Sequence, residues 1–147
     1  MSIEENLKYI NGKLGKSTKL IAISKTKPVS LLKECYDAGQ RRFGENKVQE
    51  MVEKQSQLPP DIEWHLVGHL QTNKVKYIAS FVGMIHSVDS LKLLIEINKQ
   101  AEKHHRIISC LLQMYIASEE TKFGLDEVEV MALLNDASFS SLKNIRI

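Results

Sequence analysis

One pattern recurs along the chain and constrains its fold more than any other feature. A short apolar run rich in β-branched residues is followed, each time, by a segment whose apolar positions return at helical spacing. The first run, LIAISK at 20–25, leads through Pro28 to Ser30, which reads as an N-cap. Leu31, Leu32, Cys35 and Tyr36 then share a helical face, and Gly39 reads as the helix stop. The second run, 41–46, precedes a helix carrying Val48, Met51 and Val52, which must end before Pro59 and Pro60. The third run, 62–68, is followed by a helix around Val75 and Ile78. The fourth, 83–88, is backed by Leu91, Leu94, Ile95 and Ile97. The fifth, 107–116, leads through a loop to a helix containing Val128, Met131, Leu133 and Leu134, and a sixth occupies 144–147.

Strands alternating with helices imply a parallel sheet, and near-continuous apolar runs imply strands buried on both faces. The early units return about every 20–25 residues, close to the shortest βαβ crossover. Two architectures satisfy this: a doubly wound sheet and a (β/α)8 barrel. A complete barrel takes ~200–250 residues, and the 147 residues here hold six such runs. The expected fold is therefore a single α/β domain over residues 1–147, an incomplete (β/α)8 TIM barrel ending inside a strand. Its open parallel edge would be a liability unless paired.

Apolar residues make up 43% of the chain and charged residues 26%, as in soluble globular domains. The formal charge of +2 argues against nucleic acid as a principal partner. No apolar run approaches the ~18 residues of a membrane span. The acidic start, MSIEEN, lacks the basic-then-apolar pattern of a signal peptide, so no membrane partner and a cytoplasmic location are expected. Cys35 and Cys110, far apart and flanked by apolar residues, read as reduced, packed thiols.

Parallel α/β folds place reactive groups at the C-terminal ends of their strands. Period-two alternation sets Lys25 on the face of Ile21 and Ile23. A lysine on an apolar face is partly desolvated, which lowers its pKa and frees the amine for imine formation. A lysine whose ammonium snorkels into water is the competing reading. His65 and His69 have the spacing of a zinc pair, but that spacing works on a helix and this segment reads as strand and loop, so no metal is expected. His65 reads as a hydrogen-bonding or packed side chain. Asn46 reads as a helix cap after a turn, and Gln71, Asn73 and Lys74 as a polar helix start. Glu119, Glu120 and Lys122 read as a solvated loop.

Taken together, five segments carry a resemblance: ISKTKP at 23–28, FGENKVQE at 43–50, WHLVGHLQTNK at 64–74, IHSVD at 85–89 and KFG at 122–124. In this order they resemble the pyridoxal 5'-phosphate (PLP) homeostasis proteins, called YggS in bacteria and PROSC in mammals. These are fold type III relatives of the N-terminal barrel of alanine racemase. The resemblance implies that Lys25 forms an internal aldimine with PLP, with Lys27 as the competing amine. It places Asn46 and Ser87 around the cofactor ring, His65 beneath or beside it, and Gln71 and Asn73 in the pocket or bracing it. It implies a protein that buffers or delivers PLP, partnered by PLP and by apo PLP-dependent enzymes, without robust catalysis and with no residue in a catalytic role. Two alternatives stand beside it: a PLP-dependent amino-acid racemase-like enzyme, and a truncated fragment that no longer binds PLP. A monomer, or an oligomer formed through the open barrel edge, is expected. Two departures from the family pattern are visible. Gln113-Met114-Tyr115 stands where the family has Gln-Val-Asn, and the Ser/Gly-rich turn and Arg-Gly-Ser stretch that grip the phosphate do not occur.

Overall fold

A computed structural model describes residues 1–116 and 123–147. Its centre is a sheet of six strands: β1 (Ala22–Ile23), β2 (Arg42–Glu45), β3 (Glu63–Leu66), β4 (Val82–Val88), β5 (Ile108–Leu112) and β6 (Ile145–Arg146). Every neighbouring pair is parallel, and the spatial order is β1-β2-β3-β4-β5-β6. That order decides between the two expected architectures. A doubly wound sheet reverses direction at a switch point, whereas a barrel adds each strand beside the last. The sheet is of the barrel type.

Helices α1 (Ile3–Lys13), α2 (Val29–Asp37), α3 (Val48–Gln55), α4 (Leu91–Lys103) and α5 (Glu127–Asn135) accompany it, with 3-10 turns at Thr72–Tyr77 and Phe139–Ser141. The core lies between the helices and one face of the sheet. Phe43, Trp64, Leu66, Ile85, Ile108 and Cys110 from the strands are buried with Leu32, Met51, Val75, Leu94 and Ile97. Phe43 and Trp64 are register partners on β2 and β3, with ring centroids 6.0 Å apart. The opposite face is open: Ile23 is 50% exposed and Leu111 45%. Strands buried on both faces were the expectation. The helices cover one side only, so the inner face keeps much of its solvent contact.

Several local readings are corrected. Helix α1 precedes the strand-then-helix units and was not read from the sequence, although Ile3, Leu7 and Ile10 recur at helical spacing and its capping box is written in Ser2 and Glu5, each side chain bonding the other's backbone N–H at 3.1 and 2.7 Å. Ser30 is not the N-cap of α2. Pro28 holds that position with φ −68°, and the helix starts at Val29. The segment after β3 forms a 3-10 turn over Thr72–Tyr77 instead of an α-helix, and its N-cap, Gln71, makes no side-chain cap bond. The fifth run leaves the sheet after Leu112, and Met114 makes only an isolated bridge to Leu125. Gly39, at φ 103°, follows α2 as its left-handed stop. Both cysteines are free, and burial pushes the Cys110 thiol up to about 12. Among the described residues, no helix is long and apolar enough to cross a membrane.

Candidate functional site at the C-terminal ends of the strands

Beyond β1 the alternation continues for two residues. Ser24 turns to the helix side, where it is 4% exposed and its Oγ donates to Glu45 Oε1 at 2.6 Å. Lys25 falls on the open side and is exposed, with no side-chain partner among the described residues. Of the two readings of this lysine, its exposure agrees with the one in which the ammonium reaches water. The chain then turns sharply. Thr26 has φ 63°, a left-handed conformation that a β-branched residue rarely adopts, and Lys27 N–H donates to Ser24 O at 3.1 Å. Lys27 is exposed immediately before Pro28.

Beneath this turn lies a buried ionic network. Lys54, from α3, is 5% exposed, and its Nζ donates to Ser24 O, Glu45 Oε1 and Glu50 Oε1, each at 2.7 Å. Glu45 is fully buried on β2. Glu50 Oε1 also accepts from the Thr26 N–H at 2.6 Å. The hydrogen bond from Lys54 holds the Glu50 carboxyl below the usual carboxylate range, against the effect of burial and with help from Thr26. Buried charges persist when paired and hydrogen-bonded in this way. The one signal in the sequence was the Glu50/Lys54 pair at i, i+4 on a helix.

At the end of β2, Asn46 is half-buried, but it does not cap α3. Lys47 is the N-cap, without a side-chain bond. Gly68, beyond β3, is required by close approach. A Cβ there would run into the Asn46 carbonyl oxygen and stand 2.8 Å from its Cα.

The inner face between β3 and β4 carries a second polar chain. His65, 3% exposed, lies with Nδ1 2.8 Å from His86 Nε2 and Nε2 3.0 Å from Glu63 Oε1. The other Glu63 oxygen accepts from Arg42 Nε at 3.1 Å. With both rings neutral, one tautomer assignment satisfies every contact. His65 Nε2–H donates to the carboxylate, and His65 Nδ1 accepts from His86 Nε2–H.

Burial pushes both imidazoles below their ordinary 6.5, against the pull of Glu63 on His65. The unfolded chain therefore binds more protons below pH 6.5 than the folded one. Stability is present above that pH and is lost as pH falls. The urea midpoint is expected to drop from about pH 7.5 to about pH 5.5, and the drop should shrink in His65→Gln. An equal drop in that variant would assign it to other groups.

His69 takes different partners from His65. Its Nδ1 lies 3.4 Å from Asp89 Oδ2, and its ring stacks on Phe123 at 3.7 Å. Ser87, near the end of β4, is 1% exposed, and its Oγ has no hydrogen-bond partner among the described residues. Gln71 lines a groove of about 630 Å³ with Asn46, His69 and Lys74. Asn73 belongs to a separate groove of about 560 Å³ against Leu91 and Ile95 of α4. Lys25, Asn46, His65 and Ser87 thus sit at or near the ends of four adjacent strands. Gln71 shares its groove with Asn46, and Asn73 lines the other groove, away from these four. Glu45, Glu50, Lys54, Glu63 and His86 were not singled out from the sequence. Glu119, Glu120 and Lys122 lie outside the described residues. Gln113 Nε2 donates to Phe123 O at 2.9 Å.

The whole chain, residues 1–147, matches the family described as alanine racemase, N-terminal domain. It is 43% identical over 109 residues to the pyridoxal phosphate homeostasis protein of Aquifex aeolicus, covering 74% of this chain and 48% of that protein. It is 37% identical over 132 residues to that of Escherichia coli, covering 87% and 56%. The chain thus spans about half the length of these curated relatives. The structure of PipY from Synechococcus elongatus without PLP superposes with a TM-score of 0.92 at 38% identity, over 99% of this chain and 68% of PipY. Its PLP-bound form gives 0.89 at 37%, with the same coverage. The sequential sheet, the order of the motifs along it and these likenesses agree: the chain belongs to the alanine racemase N-terminal domain family, on its YggS/PROSC branch of pyridoxal phosphate homeostasis proteins.

Proposed function

We propose that this chain is the lysine-bearing part of a PLP-binding barrel that buffers or delivers the cofactor inside the cell, with Lys25 as its point of attachment. The observation that carries this reading is the setting of Lys25. It is exposed on the inner face at the end of β1, without a side-chain partner among the described residues, next to β2 in the sheet that β3 and β4 continue. The relative of known structure with PLP bound supports it.

The residues present fit the group. Ser87 Oγ is a buried hydroxyl with an unused hydrogen bond, suited to a polar atom of a ligand. His65, whose neutral form burial favours and whose ring Glu63 and His86 orient, offers a fixed ring surface. Asn46 and Gln71 supply amides to the groove they share with His69. Bound PLP supplies an aldehyde to an amine and an electron sink to a substrate carbanion. The chain's own contribution is to present the Lys25 amine and to fix the neighbouring polar groups. Two-sided proton transfer would need an acid/base on each face of a substrate, and no residue here is assigned such a role. The cytoplasm, where apo PLP-dependent enzymes would be recipients, is the setting that suits this reading.

The test is a PLP titration followed by the visible absorbance of the lysine–PLP adduct, with Lys25→Ala alongside. Saturable absorbance in the parent chain and its loss in the variant are expected. Equal absorbance in both proteins, or none in either, would remove Lys25 from the role.

A further inference from the structure

We propose that Glu50 and Lys54 of α3 are positioning residues for Lys25, clamping its turn in a conformation that its own sequence disfavours. This rests on the reading of Lys25 as the PLP-bearing lysine. Both flanks of Lys25 are tied to the same helix. Lys54 Nζ donates to Ser24 O at 2.7 Å on one side, and Thr26 N–H donates to Glu50 Oε1 at 2.6 Å on the other. The two α3 side chains also bind each other at 2.7 Å and are anchored on Glu45, which is fully buried. The Lys25 side chain leaves this frame toward the open face.

Thr26 shows what the clamp does. Its φ of 63° is unfavourable for a β-branched side chain, and such conformers persist only where the surroundings hold them. Two bonds hold this residue: its own N–H donates to Glu50, and the Lys27 N–H to Ser24 O bond closes the turn around it. Without the Glu50 contact only the Lys27 N–H to Ser24 O bond is left to hold Thr26 at positive φ, and the turn that carries Lys25 is loosened. A clamp that served only to seat α3 on the sheet would have no need to grip the turn on both sides of one exposed lysine.

The variant to use is Glu50→Ala. Its side chain is 23% exposed, and Lys54 keeps Glu45 and Ser24 O after its removal, so the fold is retained. The probe is PLP itself, fixed by borohydride reduction, with labelling at Lys25 followed by peptide mass over time. Amide exchange at Thr26 and Lys27 is measured separately without PLP. Glu50→Ala is expected to label Lys25 about tenfold more slowly, as a displaced reacting group does, and to exchange both amides faster. Adding Thr26→Gly, which makes positive φ inexpensive, is expected to restore labelling to the parent rate.

Unchanged labelling in Glu50→Ala, or slow labelling that Thr26→Gly does not restore, overturns the positioning role while the reading of Lys25 stands. Absence of labelling at Lys25 in the parent chain overturns both.

Discussion

Replacing Lys54 by methionine is expected to lower the stability of the fold by ~3–5 kcal/mol, the usual consequence of stranding one member of a buried ion pair. The loss is large because of where the partner sits. Glu45 is fully buried in β2, one of its oxygens already lacks a hydrogen-bond partner among the described residues, and without Lys54 the other keeps only the Ser24 hydroxyl. Ser24 O and Glu50 lose a donor at the same time. The measurement is the urea midpoint at neutral pH. Its sharper form adds Glu45→Met to Lys54→Met. Removing both charges should recover most of the loss, since an apolar pair of similar volume is well tolerated where a lone buried charge is not. A double variant no more stable than Lys54→Met would show that the helix side of the sheet depends on the ionic contacts themselves.

The second large effect is expected at Trp64. It is 2% exposed and meets Phe43 on the adjacent strand. Truncation to alanine leaves a cavity between sheet and helices, and ~3–5 kcal/mol is expected from thermal or urea unfolding. For a domain with a stability of roughly 5–15 kcal/mol this removes a substantial fraction. The ladder between β3 and β4 already shifts register between Trp64 and His65. Loss of the indole should therefore also loosen the His65–His86 contact. In that case the pH dependence of unfolding weakens together with the stability. Trp64→Phe, which keeps most of the apolar volume, should sit close to the parent chain on both measures.

What the sequence revealed and what it hid have separable physical causes. Strand positions were legible because Phe43, Trp64, Ile85 and Ile108 belong to apolar runs that a helix layer must cover. The parallel, sequential order followed from alternation with helices. Lys25 was legible as the group at the end of β1, and its exposure matches the reading in which its ammonium reaches water, not the partly desolvated one. Alternation says which face a side chain takes, and the covering of that face depends on the whole sheet. Helix α1 was missed because its short stripe of Ile3, Leu7 and Ile10 follows no strand-like run, so it fell outside the strand-then-helix units. The network of Glu45, Glu50 and Lys54 was hidden for another reason. Its members come from a strand and a helix whose docking brings them together, and each alone reads as a surface charge. The pairing of His65 with His86 depends likewise on register between two strands.

The order of the sheet has a consequence for how the molecule is made. The first three ladders join residues about twenty positions apart, Ala22 with Phe43, Phe43 with Trp64 and Trp64 with Val82, so their closure entropy is modest. Each strand's earlier neighbour is the one synthesised just before it. Among the described strands, none is inserted between two already paired. A chain emerging from the ribosome can therefore extend this sheet one unit at a time, the newest strand forming the growing edge.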